Sequence, residues 1–91
     1  MDADREKVLA TFFRDGRLQQ VPRARAKRHI VLDFLAGHFE PGTRYAEREV
    51  NDILRAFHPD TAALRRYLVD DEFLERRDAV YWRAGGTFDI D

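Results

Sequence analysis

The sequence predicts an α+β fold, and three observations carry that expectation. An amphipathic run at residues 46–57, AEREVNDILRAF, is interrupted by His58-Pro59-Asp60 and resumes at residues 61–71 as TAALRRYLVDD, so two helices are joined by a tight turn. Two short β-prone runs, FLERR and VYWR, follow at once and read as a hairpin. Ahead of these, residues 23–39 are basic at the start and apolar at helical spacing afterwards. Helix, short strand, two helices and a hairpin is the element order of a winged helix-turn-helix. We therefore expect one domain over residues 1–91: an N-terminal helical extension at 1–21, a winged-helix core at 22–84 with a small β-hairpin wing, and a tail at 85–91, with four helices in all.

Each element has its own justification. Residues 2–13 should form the first helix, with acidic residues in the opening turn and Val8, Leu9, Phe12 and Phe13 as an apolar stripe. Asp15-Gly16 ends it. Residues 17–21 alternate partly and suit a small edge strand, and Pro22 suits the first turn of the next helix, where its missing N–H costs nothing. In the second helix Ile30, Val31, Phe34, Leu35, His38 and Phe39 cover about half the circumference, an arc that needs cover on two sides. The N-terminal helix should lie on one flank and the helix-turn-helix on the other.

Glu40-Pro41-Gly42 is a turn and residues 43–45 a short strand. In the third helix Val50, Ile53, Leu54 and Phe57 should face inward, with Arg48, Asp52 and Arg55 outside as a charge-paired strip. Asp60 is a suitable N-cap for the fourth helix. Its Leu64, Tyr67 and Leu68 should point into the core, leaving Ala62, Arg65, Arg66 and Val69 outward. The hairpin should turn across Arg77-Asp78-Ala79, with Trp82 as core anchor and Tyr81 facing out. Gly85-Gly86 should end the folded part, with residues 87–91 as a frayed tail or an added strand.

Composition narrows the function classes. Sixteen Lys and Arg against seventeen Asp and Glu leave a net charge of −1, so any attraction to nucleic acid must come from a local patch. There is no cysteine, which rules out disulfides and thiolate chemistry and fits a cytoplasmic setting. No apolar stretch approaches the ~20 residues of a bilayer span, and MDADREK lacks the order of a signal peptide, so no membrane association is expected. His29, His38 and His58 have no metal-ligand spacing, His38 belongs to the apolar arc, and no serine exists to pair with a histidine as nucleophile. We expect neither an enzyme nor a bound cofactor or metal.

The stretches RLQQVPRARAKRHIVLDFLAGHFEPGTRYAEREVNDIL and LRRYLVDDEFLERRDAVYWR resemble a bacterial domain family of unknown function. Its members occur alone or fused behind an ArsR-type helix-turn-helix in transcriptional regulators. The resemblance covers residues 6–84 and is most specific at residues 39–45, 49–54, 64–70 and 81–83. It implies a winged-helix-like fold and a connection to transcription, and it brings no catalytic or ligand residues. This chain departs from the family pattern at Ala46, where Ser or Thr usually caps the third helix, and at Ala79, where Gly is common. A lost cap costs roughly 0.5 to 2 kcal/mol, which leaves Thr43 as an alternative cap.

Candidate binding residues follow from charge placement. Arg65 and Arg66, with Ala62, suit major-groove contacts, because Arg pairs bidentately with guanine and a small apolar residue meets the thymine methyl. The other reading is a solvated helix face. Arg76 and Arg77 at the wing tip are placed to reach phosphates or the minor groove, or to pair with Glu72, Glu75 or Asp78. Arg23, Arg25, Lys27 and Arg28 open the second helix, the unfavourable end for cations by about a few tenths of a kcal/mol. There, Arg25 and Lys27 would serve a phosphate, or Asp2, Asp4, Glu6 and Asp15 would neutralise the cluster.

The sequence reading is thus a transcriptional-regulation module that binds double-stranded DNA, as a homodimer or with a partner regulator, since one module with so few basic residues would bind weakly alone. The alternative is a winged helix used only for protein interaction or dimerisation, through Val69, Tyr81 and the N-terminal helix.

Overall fold

The computed structural model describes residues 3–87. It is an α+β arrangement of four helices and two small antiparallel sheets, in the order α1 (Ala3–Phe12), β1 (Phe13–Arg14), β2 (Arg17–Leu18), α2 (Arg25–Ala36), β3 (Arg44–Ala46), α3 (Glu47–Arg55), α4 (Thr61–Asp70), β4 (Leu74–Arg77) and β5 (Val80–Arg83).

The N-terminal extension ends in a small antiparallel hairpin. Asp15-Gly16 does not merely stop α1: with φ of 53° and 78° the pair forms a two-residue turn that pairs β1 with β2. Both positions need φ > 0 in such a hairpin, which Asp tolerates and Gly adopts freely. The hairpin delivers Leu18 into the core, and the Leu18 N–H donates to the Phe57 carbonyl at 2.9 Å. Val8, Leu9, Phe12 and Phe13 pack against the core only partly buried.

The central helix α2 is shorter than the apolar spacing predicted. It starts at Arg25 behind Ala24, which offers no capping side chain, so Pro22 is a buried residue ahead of the helix rather than in its first turn. At its end the chain tightens, with His38 donating to the Leu35 carbonyl at 3.1 Å and Phe39 to that of Ala36 at 3.0 Å. Val31, Leu32, Asp33, Leu35 and Ala36 are all buried, which is more than one face of a helix. As expected, α1 covers one side and α4 packs on another. His38 is exposed, its ring 4.8 Å from Phe57 and 5.1 Å from Phe34, so it covers the core edge from outside.

The second sheet has strand order β3-β5-β4. Arg77 pairs with Val80, so the hairpin turn is the two residues Asp78 and Ala79, with positive φ only at Asp78. That turn also serves α3: the Ala79 carbonyl accepts from the Glu47 N–H at 2.9 Å, and Glu49 Oε1 accepts from the Ala46 N–H at 2.8 Å. The missing Ser or Thr at position 46 is thereby offset in part by a carbonyl of the hairpin turn and in part by a side chain of α3 itself, and Thr43 is not used as a cap. In α3, Val50 and Leu54 are fully buried and Asp52 pairs with Arg55 at 3.0 Å on the surface. Asp60 caps α4 by accepting from the Ala63 N–H at 3.1 Å.

Two expectations about the C-terminal part are overturned. Tyr81 is the core residue, 1% exposed, and Trp82 lies on the outer face of the sheet, where Arg44 sits 4.6 Å over its ring and its Nε1–H donates to Glu75 at 3.3 Å. Strand alternation allows only one of the two inside, and the tyrosine hydroxyl finds polar partners there. Nor does the fold end at Gly85: Thr87 donates to Asp33 from both its backbone N–H (2.6 Å) and its hydroxyl (2.9 Å). Residues 88–91, the rest of the anticipated tail or strand, lie outside the described residues.

This return of the chain over α2 requires glycine. A Cβ on Gly85 would lie 2.6 Å from the Glu72 carbonyl oxygen, and one on Gly86, at φ of +92°, would lie 2.8 Å from Asp33 Oδ1. Gly86→Ala should cost about 1 to 3 kcal/mol of backbone strain. At roughly 4 to 8 °C per kcal/mol for a domain of this size, its thermal midpoint should fall by at least about 4 °C. An unchanged melting curve would show that the Gly85–Gly86 segment does not hold this path.

Candidate functional site

The fourth helix and the hairpin face each other across a shallow groove of about 280 Å³, lined by Ala62, Arg65, Arg66, Val69, Asp70, Arg76 and Tyr81. Four of the seven candidate residues from the sequence, Ala62, Arg65, Arg66 and Arg76, are thus brought to one place. Helical spacing puts Ala62, Arg65, Arg66 and Val69 along one stripe of α4, and pairing of Arg76 with Tyr81 sets the opposite wall.

The arginines are not equivalent. Arg65 was expected to stand outward, but its side chain is only 18% exposed and its Nη1 lies 3.1 Å from Glu47 Oε1. The same nitrogen donates to the Tyr81 hydroxyl at 3.0 Å, and that hydroxyl donates to Glu47 Oε1 at 3.0 Å. A closed triangle of α3, α4 and β5 results, with Arg65 Nε buried and without an acceptor. Arg65 is therefore a fixed cation at the floor of the groove rather than a free side chain.

Arg76 reaches back across the wing turn, its Nε donating to the Asp78 carbonyl at 2.8 Å and its guanidinium lying 5.9 Å over the Tyr81 ring. Neither Glu72, Glu75 nor the Asp78 carboxylate pairs with it. Arg66 and Arg77 are exposed, and neither side chain has an ion pair or hydrogen bond among the described residues. Arg66 is the outermost cation of the groove, and Arg77 stands beside the turn outside it.

The basic start of α2 forms a separate patch. Arg25 and Lys27 are exposed on its first turns and do not line the groove. Arg28 instead lies 5.2 Å over the Tyr67 ring of α4 and donates to the Arg23 carbonyl at 3.1 Å. No ion pair joins this cluster to Glu6 or Asp15. From α1, Arg5 reaches α2, with its Nη1 2.9 Å from Asp33 Oδ2.

That contact belongs to a second constellation which sequence reasoning missed. Asp33, 8% exposed on α2, accepts from Arg5 Nη1 at 2.9 Å as well as from Thr87. Beside it Arg83, also buried, donates to the carbonyls of Phe39, Gly85 and Thr87. Both residues border a cleft of about 460 Å³ with His38 and Glu40 at its rim. Their polar atoms are engaged in holding α1, α2 and the returning chain together. A lone Asp in an apolar helix stretch was the available signal.

Among the described residues no group of three or more His, Cys, Asp or Glu is placed to hold a metal ion, and no helix is long and apolar enough to cross a membrane. Fold and groove together define a small α+β domain whose distinctive surface is an arginine-lined groove between a helix and a hairpin. Residues 17–83 match the model of a family described as "Uncharacterized protein conserved in bacteria (DUF2087)", and the chain belongs to that family. The matched stretch runs from β2 to the end of β5 and leaves out α1 and β1. No curated protein and no solved structure matches the chain.

Proposed function

We propose that this domain is a winged helix-turn-helix that serves bacterial transcriptional regulation by contacting duplex DNA through α4 and the β4–β5 hairpin. The order of α2, β3, α3, α4, β4 and β5, with β3 against the last strand of the hairpin, supports the winged-helix reading. The observation that carries the functional reading is the groove itself, which gathers Ala62, Arg65, Arg66 and Arg76 between the second helix of the pair and the wing. In this reading the domain acts by binding and not by catalysis. Arg66 and Ala62 meet base edges, Arg77 reaches a phosphate from the wing, and Arg25 and Lys27 add a sequence-independent grip. Arg65 positions the face and does not read bases. A homodimer or a partner regulator would supply the affinity that one such face lacks.

One observation favours the alternative, a winged helix used for protein interaction. The Glu47 carboxylate offsets Arg65, and Asp70 lines the same groove, so the face carries less positive charge than its arginines suggest. Tyr81 no longer belongs to that alternative surface, because it is buried.

Titration with duplex DNA at two salt concentrations separates the readings. The wild type should bind with log K falling by about 0.9 per phosphate contact for each unit of log salt. Arg66→Gln with Arg77→Gln should weaken binding and blur sequence preference, by about 1 to 3 kcal/mol for each lost bidentate contact. Arg25→Gln with Lys27→Gln should weaken all sequences alike and reduce the salt slope by about 1 per residue that touches a phosphate. No wild-type binding even at low salt would favour the protein-interaction alternative.

A further inference from the structure

We propose that the groove between α4 and the hairpin is a seat for one phosphate group, held by the guanidinium groups of Arg65, Arg66 and Arg76. It rests on the same groove as the DNA reading but stands without duplex DNA, because it concerns only the chemistry of the walls. The donors there exceed the acceptors. Arg65 spends Nη1 on Glu47 and Tyr81, while its other nitrogens have no acceptor among the described residues. Arg76 spends only Nε, on a backbone carbonyl, and Arg66 spends nothing. Against these three cations stand Glu47, reached from behind Arg65, and Asp70 at the rim. The groove therefore remains cationic and short of acceptors.

A tetrahedral oxyanion supplies what is missing. Its oxygens accept paired N–H bonds from planar guanidinium forks, and arginines on facing walls let it bridge helix and hairpin. At about 280 Å³ the groove lies below the usual ~300 to 1,000 Å³ of pockets for drug-sized ligands, which suits a single phosphate and its water. Arg65, pinned by Glu47 and Tyr81 and poorly hydrated at Nε, needs little reorganisation to serve as a fixed charge. The same chemistry would take a phosphodiester of a nucleic-acid strand or the phosphate of a free small molecule.

The test is a titration of the isotope-labelled protein with inorganic phosphate at constant ionic strength, following backbone amides and arginine Nε–H signals by NMR. Saturable shifts should centre on Arg65, Arg66, Arg76 and Tyr81. Arg76→Gln should weaken the apparent affinity about tenfold, as loss of one charge-assisted contact implies. Arg66→Gln, at an exposed position, should do the same and carries the test if Arg76→Gln perturbs the fold. Arg14→Gln makes the same charge change away from the groove and should leave the titration unaltered. Parallel titrations with duplex DNA distinguish the sources. Phosphate binding without duplex binding keeps the seat, assigns it to a free ligand and removes the DNA reading. Duplex binding that phosphate does not compete with and Arg76→Gln does not change puts DNA on another face, and the seat then stands for a free ligand if the phosphate shifts saturate and falls if they do not. Shifts that fail to saturate, or that spread evenly over all arginines, overturn the proposal.

Discussion

A chain that begins at Pro22 should fail to fold cooperatively, although it retains α2, α3, α4 and the whole second sheet. Leu18, 3% exposed, would leave the core, and burial of such a side chain is worth roughly 1.5 to 3 kcal/mol. The Phe13 ring packs edge-on against Phe34 at 5.1 Å and near Phe57 at 6.4 Å, so both would be uncovered with it. Arg17 would release the carbonyls of Arg55 and Ala56 at the end of α3. Arg5 would leave Asp33 buried with Thr87 alone among the partners described here. Together these losses amount to more than about 4 kcal/mol, set against a total of about 5 to 15 kcal/mol for an ordinary domain.

Circular dichroism melts of the two chains provide the measurement. The shortened chain should show either no transition or a midpoint lowered by roughly 15 °C or more. A chain starting at Arg17 keeps Leu18 and the Arg17 contacts and should lie between them. A cooperative melt of the Pro22 chain at the full-length temperature would mean that the extension is an appendage.

What could be read from the sequence follows from the physical range of each signal. Helices α3 and α4 and the hairpin were legible because their cues are local: apolar residues at helical spacing, a proline and a capping aspartate between them, and two β-prone runs in succession. Strand β2 was anticipated as part of an edge strand over residues 17–21, but β1 was not, because two residues give no alternation, although Asp15-Gly16 carried the signal of a two-residue turn. The extent of α2 burial was also hidden. A half-circumference arc captures Val31 and Leu35, but Leu32 and Ala36 are buried by elements distant in sequence, and Asp33 is held by an arginine and a threonine 28 and 54 residues away.

The site shows the same division. Helical spacing placed Ala62, Arg65, Arg66 and Val69 on one stripe, and the structure keeps them there. That Arg65 is held by Glu47 and Tyr81 depends on inverting the parity of β5 relative to expectation, and bulk alone pointed to Trp82 as the anchor. Tyrosine lies inside because its hydroxyl both donates to Glu47 and accepts from Arg65, whereas indole could only donate. Polar satisfaction, not size, decides which aromatic residue faces the core.

Asp33→Ala should be among the most destabilising single substitutions outside the apolar core, even though the residue lies far from the groove. Its carboxylate accepts from Arg5 and twice from Thr87 in a nearly dry position. Hydrogen bonds to a charged group contribute about 1.5 to 3 kcal/mol each, and removing one partner of a buried pair costs about 3 to 5 kcal/mol. Arg5 is 33% exposed, so water recovers part of its loss, and about 3 kcal/mol is the expected total. Asp33→Asn keeps the shape but replaces one acceptor oxygen with a donor, which would face Arg5 or Thr87, and should recover less than half of that. Asp52→Ala, which breaks only the exposed pair with Arg55, should cost less than about 1 kcal/mol and serves as the comparison. Urea unfolding of the three variants and of Arg5→Ala measures each term, and a double-mutant cycle of Arg5→Ala with Asp33→Ala isolates the share of the ion pair from that of Thr87. If Asp33→Ala unfolds at the wild-type midpoint, the joining of α1, α2 and the Gly85–Thr87 segment through this carboxylate contributes nothing to stability.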